Sequence, residues 1–219
     1  MKSLYIFDMD GTILYTLDDI TNAVNYVLDK YSFPKRTVEE VRFFVGNGLR
    51  KTLERSVSEG TSQETIDAIY PELTEYYKEH ANRFTRPYDG IVDVIKELRE
   101  RGMKTAVVSN KRDEAVKKLC DKYFDGCFDM AMGDREGIAL KPAPDMVNMV
   151  INAMGVTKDE CLYIGDSDVD LLTAENSGID CIGVAWGFRG KRFLEEHGAE
   201  TIIEKPEELL HTFMNFDRI

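Results

Sequence analysis

Leu4-Tyr5-Ile6-Phe7-Asp8-Met9-Asp10-Gly11-Thr12 is where the reading of this chain begins. Four apolar residues run without a polar break, then stop at two acids, a Gly and a Thr. A run so short and so bounded reads as a strand buried on both faces. Similar runs recur at 105–108, 128–132, 161–164 and 181–185, with a weaker one at 201–203. Helical patterns separate most of them. Ile91, Val92, Val94, Ile95 and Leu98 mark one helix face, ended by Gly102. Ala115, Val116 and Leu119 mark a second. Met146, Val147, Met149, Val150 and Met154 mark a third, closed by Gly155, and Leu171, Leu172 and Ala174 a fourth, stopped by Gly178. Pro206 suits the first position of a last helix. Strand and helix alternating from residue 86 onward predict an α/β fold, a Rossmann-like doubly wound parallel sheet.

Residues 16–85 break that alternation and read as helix throughout. Leu17, Ile20, Val24, Val27, Leu28 and Tyr31 form a helical stripe. Thr16 with Asp19, and Thr37 with Glu40, have capping-box spacing. Residues 62–80 continue as helix, interrupted at Pro71. The expected organisation is a catalytic core of residues 1–15 and 86–219, with a helical domain of residues 16–85 inserted after the first strand.

Composition narrows the function. The 219 residues hold 28 Lys and Arg against 40 Asp and Glu, a net charge of -12. That acidity argues against nucleic acid and anionic membrane as partners. No apolar run approaches the roughly 18 residues of a membrane span. The N-terminus, with one Lys and an early Asp8, does not read as a signal peptide. Cys120, Cys127, Cys161 and Cys181 form no CxxC pair, so a reducing cytoplasm is expected. His80, His197 and His211 share no ligand spacing.

Position is the informative fact. Ligands of an open parallel sheet bind at the carboxyl ends of its strands. The first strand ends in Asp8 and Asp10, and the second in Ser109-Asn110. The third leads to Lys141-Pro142, and the fourth ends in Gly165-Asp166-Ser167-Asp168-Val169-Asp170. Two acid clusters, a hydroxyl and a Lys would thus meet at one edge. Crowded carboxylates repel unless a cation joins them, and hard oxygen ligands in this number suit Mg²⁺. A divalent cation beside a Lys makes a site for a phosphoryl group. Each piece alone has a plainer reading: an acidic turn, a helix cap at Ser109, a surface Lys141. An EF-hand at 166–170 fails, because Leu171 and Ser177 stand where Gly and Glu are required. Gly46-Asn47-Gly48 lacks the third Gly of a dinucleotide fingerprint, and 187–191 lacks the first Gly of a P-loop.

Together the four pieces resemble the motifs of the haloacid dehalogenase superfamily of phosphohydrolases. DMDGT at 8–12 resembles the first motif, Ser109 the second, Lys141 in KPAP the third and GDSDVD at 165–170 the fourth. SNK at 109–111, KPAPD at 141–145 and VGNGL at 45–49 are similar to segments of the phosphoglycolate phosphatase branch. Many members carry Asp-Ser shortly after DGTL, where this chain has Tyr15-Thr16.

The resemblance implies a role for each residue. Asp8 would be the nucleophile that forms an aspartyl phosphate. Asp10 would protonate the leaving oxygen and later take a proton from water. Gly11 would allow the turn, and Thr12 would hold Asp10 or the phosphate. Ser109 and the Asn110 backbone N–H would bind phosphate oxygens, and Lys141 would offset negative charge. Asp166, the Asp8 carboxylate and the Asp10 carbonyl would hold Mg²⁺, with Asp170 a further ligand or an anchor behind the ligands. Gly46, Asn47 and Gly48 would present backbone N–H groups to a substrate carboxylate. The inserted domain would act as a cap that closes over the substrate.

The implied partner is a small phosphorylated metabolite, 2-phosphoglycolate first, and the implied state a cytoplasmic monomer or homodimer. Nucleotides, pyrophosphate and sugar phosphates remain open as substrates. A sugar phosphomutase would usually have small residues after Ser109, where Asn110-Lys111 stand. A dehalogenase would need neither Asp10 nor Asp166, and a catalytically silent binding protein would lack a catalytic position.

Overall fold

The computed structural model describes residues 2–214. In chain order the elements are β1 (Leu4–Phe7), β2 (Leu14–Tyr15), α1 (Leu17–Lys30), α2 (Val38–Phe44), α3 (Gly48–Ser56) and α4 (Gln63–His80). Then come β3 (Arg86–Pro87), α5 (Ile91–Glu100), β4 (Lys104–Arg112), α6 (Asp113–Tyr123), β5 (Met130–Asp134) and α7 (Asp145–Met154). The chain closes with β6 (Cys161–Gly165), α8 (Asp168–Ser177), β7 (Asp180–Val184), α9 (Gly190–Glu196), β8 (Ile202–Ile203) and a 3₁₀ segment, Pro206–Met214. Two units emerge: Met1–Leu14 with Pro87–Ile219, and Tyr15–Arg86. Among the described residues no helix is long and apolar enough to cross a membrane.

The larger unit is built on a six-stranded parallel sheet in the order β5-β4-β1-β6-β7-β8. Strand β1 explains why its sequence is apolar without alternation. Tyr5 and Phe7 pack on one face with Ile91, Ile95 and Leu98 of α5 and Val116 of α6. Leu4 and Ile6 pack on the other with Met146, Val147 and Val150 of α7. All four residues of β1 are fully buried, each stabilising by about 1.5–3 kcal/mol on area grounds. Because β4 lies on one side of β1 and β6 on the other, the chain changes direction at β1. The carboxyl ends of those three strands therefore frame the crevice where open α/β sheets bind ligands.

Several elements differ from the sequence expectation. The third strand begins at Met130 rather than Phe128, whose ring instead packs edge-on to Phe7 at 6.1 Å. On α7, Met149 turns outward, 42% exposed. On α8 the buried face is Val169, Asp170, Thr173, Ala174 and Ser177, not the Leu171–Leu172 stripe. Thr173 and Ser177 can be buried because their hydroxyls donate to the Val169 and Thr173 carbonyls, at 2.6 and 2.7 Å. The last helix begins at Pro206 as expected, and is of the 3₁₀ kind.

The Tyr15–Arg86 unit is four helices. Thr37 and Glu40 form the expected capping box of α2. Helix α4 runs through Pro71 without a break. Pro71 is exposed, so water can take the Asp67 carbonyl that loses its donor. Thr16 and Asp19 form no capping box at the start of α1. The buried Asp19 carboxylate instead accepts the backbone N–H groups of Asn82, Phe84 and Thr85 and the Thr85 hydroxyl, at 2.7–3.2 Å. One side chain thereby joins the first turn of this unit to its last residues.

Candidate active site

The turn after β1 is wound on one carbonyl. The N–H groups of Thr12, Ile13 and Leu14 all point to Met9 O, at 3.0–3.3 Å. Gly11 takes φ +92°, and a Cβ there would strike the Asp166 carboxylate. Gly187 approaches Asp166 from another side, where a Cβ would strike the Asp166 side chain and the Gly11 carbonyl. Two residues without side chains therefore hold one buried acid between them. Its oxygens are anchored: Thr12 Oγ1 donates to Asp166 Oδ1 at 3.2 Å, and Phe188 N–H donates to Oδ2 at 2.7 Å. The sequence reading sends the Thr12 hydroxyl to Asp10 or to phosphate. In the structure Thr12 is fully buried and its hydroxyl turns to Asp166, the acid nearest its side of the turn.

Lys141 is the hub of the site. Its ammonium lies 2.7 Å from Asp8 Oδ1, 2.7 Å from Asp170 Oδ1 and 3.0 Å from the Tyr163 hydroxyl. The loop that carries it is clamped by Asn110. The Asn110 side chain accepts from Lys141 N–H at 2.8 Å and donates to the Lys141 carbonyl at 3.0 Å. Asn110 thus positions Lys141 through its amide, where the sequence reading expected only its backbone N–H to act, toward phosphate. Asp170 is held at both ends: Oδ1 by Lys141, and Oδ2 by the Ser167 hydroxyl at 2.7 Å and Ser167 N–H at 3.1 Å. Gly165 has no side chain because Asp170 packs against it.

The end of the second strand of the sheet explains itself through pairing. Strand β4 runs on to Arg112, but its ladder with β5 breaks after Val108. Val108 faces Met132 and Arg112 faces Asp134, so the β4 side carries extra residues. Ser109, Asn110 and Lys111 fill that bulge, which turns them off the regular sheet. Ser109 Oγ accepts Lys111 N–H at 3.3 Å. The Lys111 ammonium reaches Asp10, at 3.0 Å from Oδ1 and 2.9 Å from Oδ2.

Electrostatics set the chemical character. Oxygens of Asp8, Asp166 and Asp170 lie within 4.8 Å of one another, all buried. Burial pushes the Asp8 carboxyl up to about 7; Lys141 opposes the rise, and Asp170 and Asp10 add to it. Burial likewise lifts Asp166 well above the carboxylate range, with Asp170 and Asp8 pushing the same way. Burial alone would lower the Lys141 ammonium, but Asp170 and Asp8 outweigh it and hold it well above its ordinary value. Three carboxylates thus face one firmly charged ammonium, an imbalance that a divalent cation on hard oxygen ligands would correct. Asp170 gives one oxygen to the Lys141 ammonium and the other to Ser167, whereas Asp166 is held by the neutral donors of Thr12 and Phe188, so Asp8 and Asp166 are the better direct ligands and Asp170 the better anchor.

Gly46, Asn47 and Gly48 belong to the Tyr15–Arg86 unit, in the turn from α2 into α3. Gly46 and Gly48 take positive φ, 119° and 83°. Asn47 Oδ1 accepts from Arg55 Nη2 at 2.8 Å. Arg50 pairs with Asp67 and Glu54 on the surface of that unit.

The sequence reading missed Tyr163, Ser167 and Trp186. The Trp186 indole N–H donates to the Thr12 carbonyl at 2.9 Å, tying the β7 end to the turn that carries both acids.

Comparison with known proteins agrees with this geometry. The family model described as haloacid dehalogenase-like hydrolase matches residues 5–184. The chain is 29% identical over 216 residues to "Phosphoglycolate phosphatase 1" of Pseudomonas aeruginosa, covering 96% of this chain and 79% of that one. It is also 29% identical to "Putative pyrophosphatase PpaX" of Caldanaerobacter subterraneus subsp. tengcongensis, covering 97% and 94%. A crystal structure titled as a "putative phosphoglycolate phosphatase" from Lactobacillus delbrueckii subsp. bulgaricus superposes with a TM-score of 0.92 at 39% identity, covering 97% and 98%. The chain belongs to the haloacid dehalogenase-like hydrolases, in the phosphoglycolate phosphatase-like branch that its motifs resemble.

Proposed function

We propose that this enzyme is a Mg²⁺-dependent phosphatase of small anionic phosphate compounds, 2-phosphoglycolate first among them, acting through an aspartyl phosphate on Asp8. The observation that carries the reading is the Lys141 ammonium shared between Asp8 and the doubly anchored Asp170. It leaves Asp8 as the carboxylate at the mouth of the cluster, 8% exposed, while Asp170 is fully buried.

In the first step an Asp8 oxygen bonds to phosphorus as the bond to the leaving oxygen breaks, and Asp10 gives that oxygen its proton. In the second, Asp10 takes a proton from water, the water oxygen bonds to phosphorus, and Asp8 leaves as a carboxylate. Lys141 keeps Asp8 oriented and offsets charge throughout, and Ser109 supplies a hydroxyl to the phosphoryl oxygens. A divalent cation on Asp8, Asp166 and the Asp10 carbonyl would lend positive charge to the phosphoryl oxygens when bound.

The names of the relatives support a small anionic substrate, and one of them supports pyrophosphate as a second reading. The test is a metabolite screen with Mg²⁺. A nucleoside monophosphate or neutral sugar phosphate preferred over 2-phosphoglycolate by more than about tenfold in kcat/KM would overturn the substrate assignment. Transfer of phosphate to a hexose phosphate instead of water would overturn hydrolysis.

A further inference from the structure

We propose that Lys111 is a specificity residue that reads negative charge on the departing half of the substrate. The inference deepens the phosphatase reading and rests on it. The site holds two ammonium groups, and they sit on different carboxylates. Lys141 is on the nucleophile side, 2% exposed and enclosed by Asp8, Asp170 and Tyr163. Lys111 is on the acid side, with both Asp10 oxygens within 3.0 Å of its ammonium. The acid is the group that touches the leaving oxygen, so a cation in contact with it lies beside the leaving group and away from the attacked face of phosphorus. The pair is also the more open of the two: Asp10 is 22% exposed at its side chain against 11% for Asp8. A departing carboxylate or phosphate would therefore share Lys111 with Asp10 or draw it away, and a neutral alcohol would gain nothing from it.

The backbone beneath Lys111 is built to hold it there. It occupies the bulge of β4, and β5 closes on the Lys111 carbonyl at Gly133, where a Cβ would collide with that carbonyl and with the Asp113 backbone. A cation on a fixed base beside the leaving oxygen accounts for 2-phosphoglycolate and pyrophosphate with one residue, since each releases an anion.

The test compares 2-phosphoglycolate, pyrophosphate and ethyl phosphate with wild type, Lys111→Met and Lys111→Arg, each checked by thermal melting. Lys111→Met should lower kcat/KM for the two anionic-leaving substrates by about 10–100-fold, mostly through KM, and for ethyl phosphate by less than about threefold. Lys111→Arg should keep most of the preference. Equal losses on all three would overturn the proposal and leave Lys111 as a residue that only holds Asp10, and unchanged kinetics would overturn it as well. If Lys111→Met fails to fold, Lys111→Gln carries the same expectation. A wild type inactive on all three would instead refute the phosphatase reading itself.

Discussion

Replacing Asp8 by Asn should destroy turnover and yet stabilise the metal-free protein at alkaline pH. The Asp8 carboxyl is moved from 3.8 to about 7, burial being the largest cause, and the attraction of Lys141 is already part of that balance. The folded state therefore binds more protons than the unfolded state between those values. Stability from this group is present at low pH and is lost as pH rises through that window. At about 1.4 kcal/mol per unit, the buried charge costs roughly 4 kcal/mol above pH 7, and relaxation of the site will leave ~1–4 kcal/mol of it. An uncharged Asn of the same shape escapes the cost. For a chain of this length each kcal/mol moves the melting point by about 2–4 °C, so Asp8→Asn should melt at least ~2 °C higher than wild type in EDTA at pH 8. At pH 4 the gap should close, because wild-type Asp8 is then protonated in the fold. Mg²⁺ at pH 8 should raise the wild type more than the variant. Melts at both pH values, with and without Mg²⁺, check this. A wild type as stable as the variant at pH 8 without metal, or a gap that persists unchanged at pH 4, would refute the electrostatic account of the cluster.

Other outcomes follow from the same geometry. Asp10→Asn should slow hydrolysis of alkyl phosphates by roughly 10²–10⁴-fold and of p-nitrophenyl phosphate by less, because a good leaving group needs little protonation. Equal losses on both would remove Asp10 as the acid. EDTA should abolish activity and Mg²⁺ restore it, with Ca²⁺ supporting little turnover because its looser shell misplaces Asp8; full activity in excess EDTA would contradict this. Gly187→Ala should push Asp166 out of place, weakening the response of the melting point to Mg²⁺ by more than about tenfold in half-saturating concentration.

What could be read in advance was whatever depends on one segment at a time. The unbroken apolar runs at β1 and β6 are buried on both faces, and the glycines at 155 and 178 end α7 and α8 in left-handed conformation. The acids at strand ends could be listed because an open sheet places them together. What could not be read depends on a partner. The bulge that carries Ser109, Asn110 and Lys111 exists only in the pairing of β4 with β5. Tyr163 reads as one more apolar strand residue until its hydroxyl meets Lys141. The polar buried face of α8 breaks the usual stripe because Asp170 answers to Lys141 and Ser167, groups far and near in the chain. Asp19 has the spacing of a helix cap, but a buried carboxylate takes the strongest set of donors available, and three backbone N–H groups at 82–85 outbid one at the helix start.

That carboxylate also bears on how the chain tolerates so long an insertion. Asp19 binds the entry of the Tyr15–Arg86 unit to its exit, and β2 pairs with β3 at the same crossings. The entropy of closing a loop depends on the distance its ends must be held together and grows only slowly with its length. With its ends tied by its own residues, the inserted unit presents the sheet with a short, closed bridge whatever its interior contains. Its helices are then free to change in length and sequence without altering what the folding of the sheet requires.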